Sequence, residues 1–201
     1  MNFFSKSGIP IFNSLKQIEK SRKSFQSRSN ISTQLYTGTW QIDILKPIGK
    51  GHFVIFKGNT ATGKTSTTFH SAINFLAENS HNHVVYIGNK AETLKSKLLD
   101  SPNITLDSNL SIIDTSAGSI SERLLAYKTG ISLTNHFSSL NKEVLLILDD
   151  FYNSLAMETD VQNATGIPCL PWNNLKEAYS CSGKFEDSSV TTVLVTHLFL
   201  N

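Results

Sequence analysis

Cysteine, long apolar runs and net charge are all scarce in this chain. Its 201 residues hold two cysteines, Cys169 and Cys181. Their spacing fits neither a zinc pattern nor a C-x-x-C redox pair, which excludes a disulfide or structural-zinc framework and points to a reducing compartment with two unpaired thiols. No apolar run approaches the ~20 residues of a membrane-spanning helix. The formal net charge of +2 is too small to mark a nucleic-acid binder. His81 and His83 flank Asn82 in a polar turn. With no other ligand types close by, they read as solvated loop residues rather than metal ligands. Internal repeats and low-complexity blocks are absent too, and no secretory signal is recognisable. The length suffices for a sizeable core, so one globular domain is expected.

What the chain does have begins with a basic segment. Lys6, Lys16, Lys20, Arg22, Lys23 and Arg28 stand against Glu19 within residues 1–30. The segment is Ser-rich, with scattered apolar residues from Phe3 to Ile18. Such composition suits a mitochondrial targeting segment, or a disordered basic arm. Residues 31–201 then form the globular part.

The globular part alternates strand-like and helix-like stretches. Strands are expected at Phe53–Phe56, Val84–Ile87, Ser111–Asp114, Val144–Leu148 and Val190–Thr196. Helices are expected after Gly63, over Ala91–Leu99, and from about Ser119 to Tyr127. A break at Gly130 and renewed helix to Leu140 follow, then a helix from about Tyr152 and a loop near Pro168 and Pro171. The unbroken apolar run Val144–Leu148 indicates a strand covered on both faces, as in a parallel sheet. Strands alternating with helices imply an α/β fold, a mostly parallel sheet flanked by helices.

The chemistry concentrates at the end of the first strand. Gly58, Asn59, Thr60, Ala61, Thr62, Gly63, Lys64 and Thr65 spell G-x-x-x-x-G-K-[ST], with Ser66 next and a helical pattern behind it. Gly58 and Gly63 carry no Cβ, so the backbone can curl and turn its N–H groups inward. Those groups and the helix N-terminus make a concave anion site suited to a polyphosphate such as that of ATP or ADP. Lys64 reaches the terminal phosphates as a point charge. Thr65 offers Mg²⁺ a hard oxygen. Asp149 ends the buried strand downstream, where an acid meets bound metal in the Walker-B arrangement. In open α/β sheets, ligands bind beyond those strand ends. The adjacent Asp150 has an alternative use, as a helix cap.

The ordered set of residues resembles ATP synthase alpha subunits. Leu35-Tyr36-Thr37-Gly38, then Asp43, then Pro47-Ile48-Gly49-Lys50-Gly51 is similar to their approach to the phosphate loop. The loop itself is similar to alpha G-D-R-Q-T-G-K-T. Gly88-Asn89-Lys90 falls where alpha subunits carry G-Q-K, and Leu146-Ile147-Leu148-Asp149-Asp150 resembles I-I-Y-D-D. Residues 188–195 resemble G-S-L-T-A-L-P-V. The resemblance covers about residues 35–197. It implies a P-loop NTPase (RecA-like) fold binding Mg²⁺ with ATP or ADP, and beta-type subunits of an F-type ATP synthase as partners. A location on the matrix side of the mitochondrial inner membrane is implied too. The family's N-terminal β-barrel, C-terminal helical domain and trans-acting arginine have no counterpart here. Lys46, Lys50 and His52 depart from its usual residues, and residues 156–171 match poorly.

Hydrolysis needs a group that activates water. In beta subunits a glutamate does this at the place of Asn89; alpha subunits carry a glutamine there and do not turn over. The resemblance therefore implies a nucleotide-binding, non-catalytic site that includes Asn89, in a complex making ATP from a proton gradient. Glu92 and Glu122 read as solvated helix-face charges. Two other readings stay open: a stand-alone small P-loop ATPase or kinase, and a truncated relic that binds nucleotide or a partner only.

Overall fold

A computed structural model describes residues 25–101, 109–117, 119–149, 151, 162–164, 166 and 173–197. After a short 3-10 turn at Phe25–Ser27, strands β1 (Gln34–Leu35) and β2 (Ile48–Gly49) pair antiparallel around helix α1 (Trp40–Leu45). There follow β3 (Phe53–Gly58), α2 (Lys64–Glu78), β4 (Asn82–Gly88), α3 (Ala91–Leu99), β5 (Leu110–Asp114), α4 (Ile120–Ser139) and β6 (Glu143–Leu148). Helix α5 (Asn173–Cys181), β7 (Gly183–Lys184) and β8 (Ser189–His197) complete the described elements.

The main sheet runs β3-β8-β6-β4-β5, every neighbouring pair parallel, with β7 added antiparallel to β8. Parallel pairing needs crossovers, and α2, α3 and α4 supply them on the two faces. Side-chain alternation along each strand then divides the core in two. On one face Tyr86, Leu145, Ile147 and Val193 pack under Phe69, Phe75, Leu94 and Leu98 of α2 and α3. On the other, Val85, Ile87, Leu146 and Leu194 meet Tyr127, Ile131 and Ala178 of α4 and α5. Burial of side chains this size is worth ~1.5–3 kcal/mol each.

Three expectations need correction. Helix α4 runs through Gly130 without a break. A Cβ there would collide with Ile87 Cδ1 and crowd Ile113, so the glycine lets helix and sheet approach closely. His83 is no loop residue. Strand β4 starts at Asn82, and His83 is buried with its ring on Phe137, centroids 3.7 Å apart. Burial, then the charge of Lys142, pushes its pKa down to about 4. Third, the lead-in to the first expected strand, where Gly38, Pro47, Gly49 and Gly51 suggest only chain punctuation, contains α1 and the β1–β2 pair. The expected helix beginning at Tyr152, the loop near Pro168, Cys169 and the capping role of Asp150 lie outside the described residues.

Candidate nucleotide site

The loop between β3 and α2 lies at the carboxyl end of the sheet. Gly63, the residue before α2, holds φ at 82°, the left-handed region that L side chains avoid. That twist turns the chain from strand into helix. Helix α2 then begins at Lys64, its partial positive end at the loop. Thr62 Oγ1 donates to the Asn59 carbonyl at 2.9 Å and closes the curl.

Residues Thr60 to Ser66 line one cavity of about 400 Å³, and Asn89 and Asp149 line the same cavity. The sequence-assigned residues on three separate segments are thus brought together. Gly58 and Asn59 are the exception. They border a neighbouring cavity of about 540 Å³ beside β3, which shares Thr62 and Lys64 with the first. Their carbonyls accept from Lys64 Nζ at 2.8 and 2.5 Å, so this ammonium stands between the two spaces.

Asp149 is buried at the end of β6. Its N–H donates to Ile87 O at 2.9 Å, which locks it beside β4. Its Oδ2 accepts from Tyr86 OH at 3.1 Å. Burial, reinforced by the Asp149 charge, pushes the Tyr86 phenol well above its ordinary pKa, so it remains a donor. The same hydroxyl accepts from the Lys90 backbone N–H at 3.2 Å. Lys90 lines the cavity too, and its Nζ donates to Thr65 Oγ1 at 3.0 Å.

Tyr86 and Lys90 carry no assigned role in the sequence reading. A usable signal existed for Tyr86: a phenol inside Val84–Ile87 must find a polar partner when buried. Glu92 and Glu122 do not line the cavity. Glu92 pairs with Lys95 at 2.7 Å on the surface. Glu122 closes a capping box with Ser119, whose backbone N–H and hydroxyl hold the exposed carboxylate below its usual pKa.

Thr65 and Asp149 have the right chemistry for Mg²⁺, one hydroxyl and one carboxylate beside a phosphate site. The arrangement fits the ion poorly, however. Thr65 Oγ1 accepts from Lys90 Nζ, and one of the two Asp149 carboxylate oxygens, Oδ2, accepts from the Tyr86 phenol.

Comparison with known families decides what the arrangement belongs to. The nucleotide-binding domain of the ATP synthase alpha/beta family matches residues 38–171. This chain belongs to the ATP synthase alpha/beta family. ATP synthase subunit alpha of Acholeplasma laidlawii is 36% identical over 138 residues, 66% of this chain and 27% of that protein. Subunit alpha of Mycoplasmopsis synoviae is 30% identical over 138 residues, 68% of this chain and 26% of its own length. A Clostridium botulinum subunit alpha is 30% identical over 139 residues, covering 69% and 28%. The chain is thus alpha-like, and it spans about a quarter of the length of these curated relatives. The parallel α/β sheet flanked by helices agrees with the family's nucleotide-binding domain. The mitochondrial location does not stand. These relatives are bacterial, and bacteria have no mitochondria, so the expected matrix location loses its basis.

Proposed function

We propose that residues 31–201 form a nucleotide-binding domain that holds ATP or ADP without hydrolysing it. The domain serves as an alpha-like unit beside beta-type subunits of an F-type ATP synthase, and contributes to proton-driven ATP synthesis by binding rather than by chemistry. The loop amides, the α2 N-terminus and Lys64 supply the anion site.

One observation carries the non-catalytic half of this reading. Among the described residues that line the cavity, Asp149 is the sole carboxylate, and its Oδ2 accepts from Tyr86. Asn89 lines the cavity too, and the resemblance to beta subunits would put a water-activating glutamate at its position. An amide holds a water but takes no proton from it at neutral pH. The test is phosphate release by the isolated chain saturated with ATP. Bound nucleotide without sustained release is the expected result. Multiple turnovers per second would show a base that this reading omits.

A further inference from the structure

Lys90 sits against the hydroxyl that the sequence assigns to a metal. Its Nζ donates to Thr65 Oγ1 at 3.0 Å. Its main chain is anchored, since its N–H donates to the hydroxyl of Tyr86, a residue with no solvent exposure. That hydroxyl in turn donates to Asp149 Oδ2 at 3.1 Å. One short relay therefore places a cation at Thr65 and occupies an oxygen of Asp149 from the same phenol. A lysine head is a compact charge with three donors, so it can hold Thr65 and still present hydrogens to a phosphate oxygen.

We infer that the Lys90 ammonium stands in for the metal ion, so that the nucleoside polyphosphate binds between Lys64 and Lys90 as its metal-free anion. This rests on the nucleotide-site reading above. Magnesium sheds its waters reluctantly and demands near-octahedral oxygen ligands. A second cation on Thr65 would share an oxygen with Lys90, and like charges that close repel strongly where bulk water is partly excluded. Among the described titratable groups lining the cavity are two ammoniums, Lys64 and Lys90, against one carboxylate, Asp149. The wall is cationic before any metal arrives.

The experiment is equilibrium binding of ATP and of ADP to the full chain, in excess EDTA and in millimolar Mg²⁺. The wild type, Lys90→Met and Lys90→Arg are compared, with circular dichroism confirming that each is folded. The wild type is expected to bind within about threefold in the two conditions. Lys90→Met is expected to lose about tenfold or more in EDTA and to recover with Mg²⁺, whereas Lys90→Arg keeps metal-free binding. A wild type that loses more than about tenfold in EDTA, with Lys90→Met behaving the same, overturns the inference and leaves the nucleotide site intact. Absence of wild-type binding in both conditions overturns the nucleotide-site reading itself, and the inference with it.

Discussion

At the scale of single residues, the 58–65 loop carries backbone strain. Ala61 holds φ at 62°, a left-handed backbone that costs an L residue roughly 1–2 kcal/mol. Replacing it with glycine relieves that cost and adds back ~0.4–1 kcal/mol of unfolded-state entropy. The relief is the larger effect, so Ala61→Gly should stabilise the fold by about 0.5–1 kcal/mol in urea unfolding. An unchanged or lower midpoint would show that the loop is not held in this conformation. Lys64, Thr65 and Asp149 were legible in the sequence because each belongs to a local pattern with a chemical reason. The Lys90–Thr65 contact was not, because its partners lie 25 positions apart and meet only when β4 aligns beside α2.

Elements were legible where burial follows the helix or strand period. Helix α3 lies over Ala91–Leu99 as expected, because Ala91, Leu94 and Leu98 make one buried stripe. Helix α1 was not legible, because it buries none of its residues and leaves Trp40, Ile44 and Leu45 exposed. Gly130 misled for another reason: the side chain that needs its missing Cβ, Ile87, is remote in sequence. Gly130→Ala gains ~1 kcal/mol of helix propensity but overpacks against Ile87, which costs ~1–3 kcal/mol. Net destabilisation is expected in thermal or urea unfolding, and net stabilisation would contradict the close approach of α4 to β4. His83 gives β4 and α4 a pH dependence. Its folded pKa of about 4 lies below the ordinary 6.5, so the unfolded chain takes up the proton first. Stability should therefore fall as pH drops from 6.5 towards 4, by up to about 3 kcal/mol, and this slope should vanish in His83→Gln. A slope unchanged by that substitution would place the titration elsewhere.

Across the whole molecule, the end of the sheet opposite the phosphate loop is tied by charge. Lys50 Nζ pairs with Glu78 at the end of α2 at 3.0 Å and with Glu143 at the start of β6 at 2.9 Å. Glu143 also meets Lys184 of β7 at 3.4 Å. Burial pulls the Lys50 pKa down, but the hydrogen bonds and charges of Glu143 and Glu78 outweigh it and hold the value above 10.5. Burial likewise raises Glu143, and Lys50 with Lys184 outweighs it, leaving the value below 4.5. The Glu143 contribution is thus present above pH 4.5 and is lost as pH falls through its lower folded value, mostly below the His83 window. Lys50→Met leaves Glu143 half-buried without its main partner and Glu78 facing solvent, and should cost ~1–3 kcal/mol in urea unfolding, a loss that Lys50→Met/Glu143→Leu should partly restore. A cost below about 1 kcal/mol would mean that the pairs act as surface salt bridges do.

The alternation of strands and helices along the chain was legible because buried parallel strands announce themselves as apolar runs. What those runs could not show was a polar network assembled from residues distant in sequence, of which Lys50 and Tyr86 are the examples. The central claim is that the loop grips a nucleotide's phosphates through Lys64. Titration of a fluorescent ATP analogue into the full chain and into Lys64→Ala tests it most directly. Loss of one charge-assisted contact should weaken binding by about 10- to 100-fold. Equal affinity in the two proteins would contradict the account.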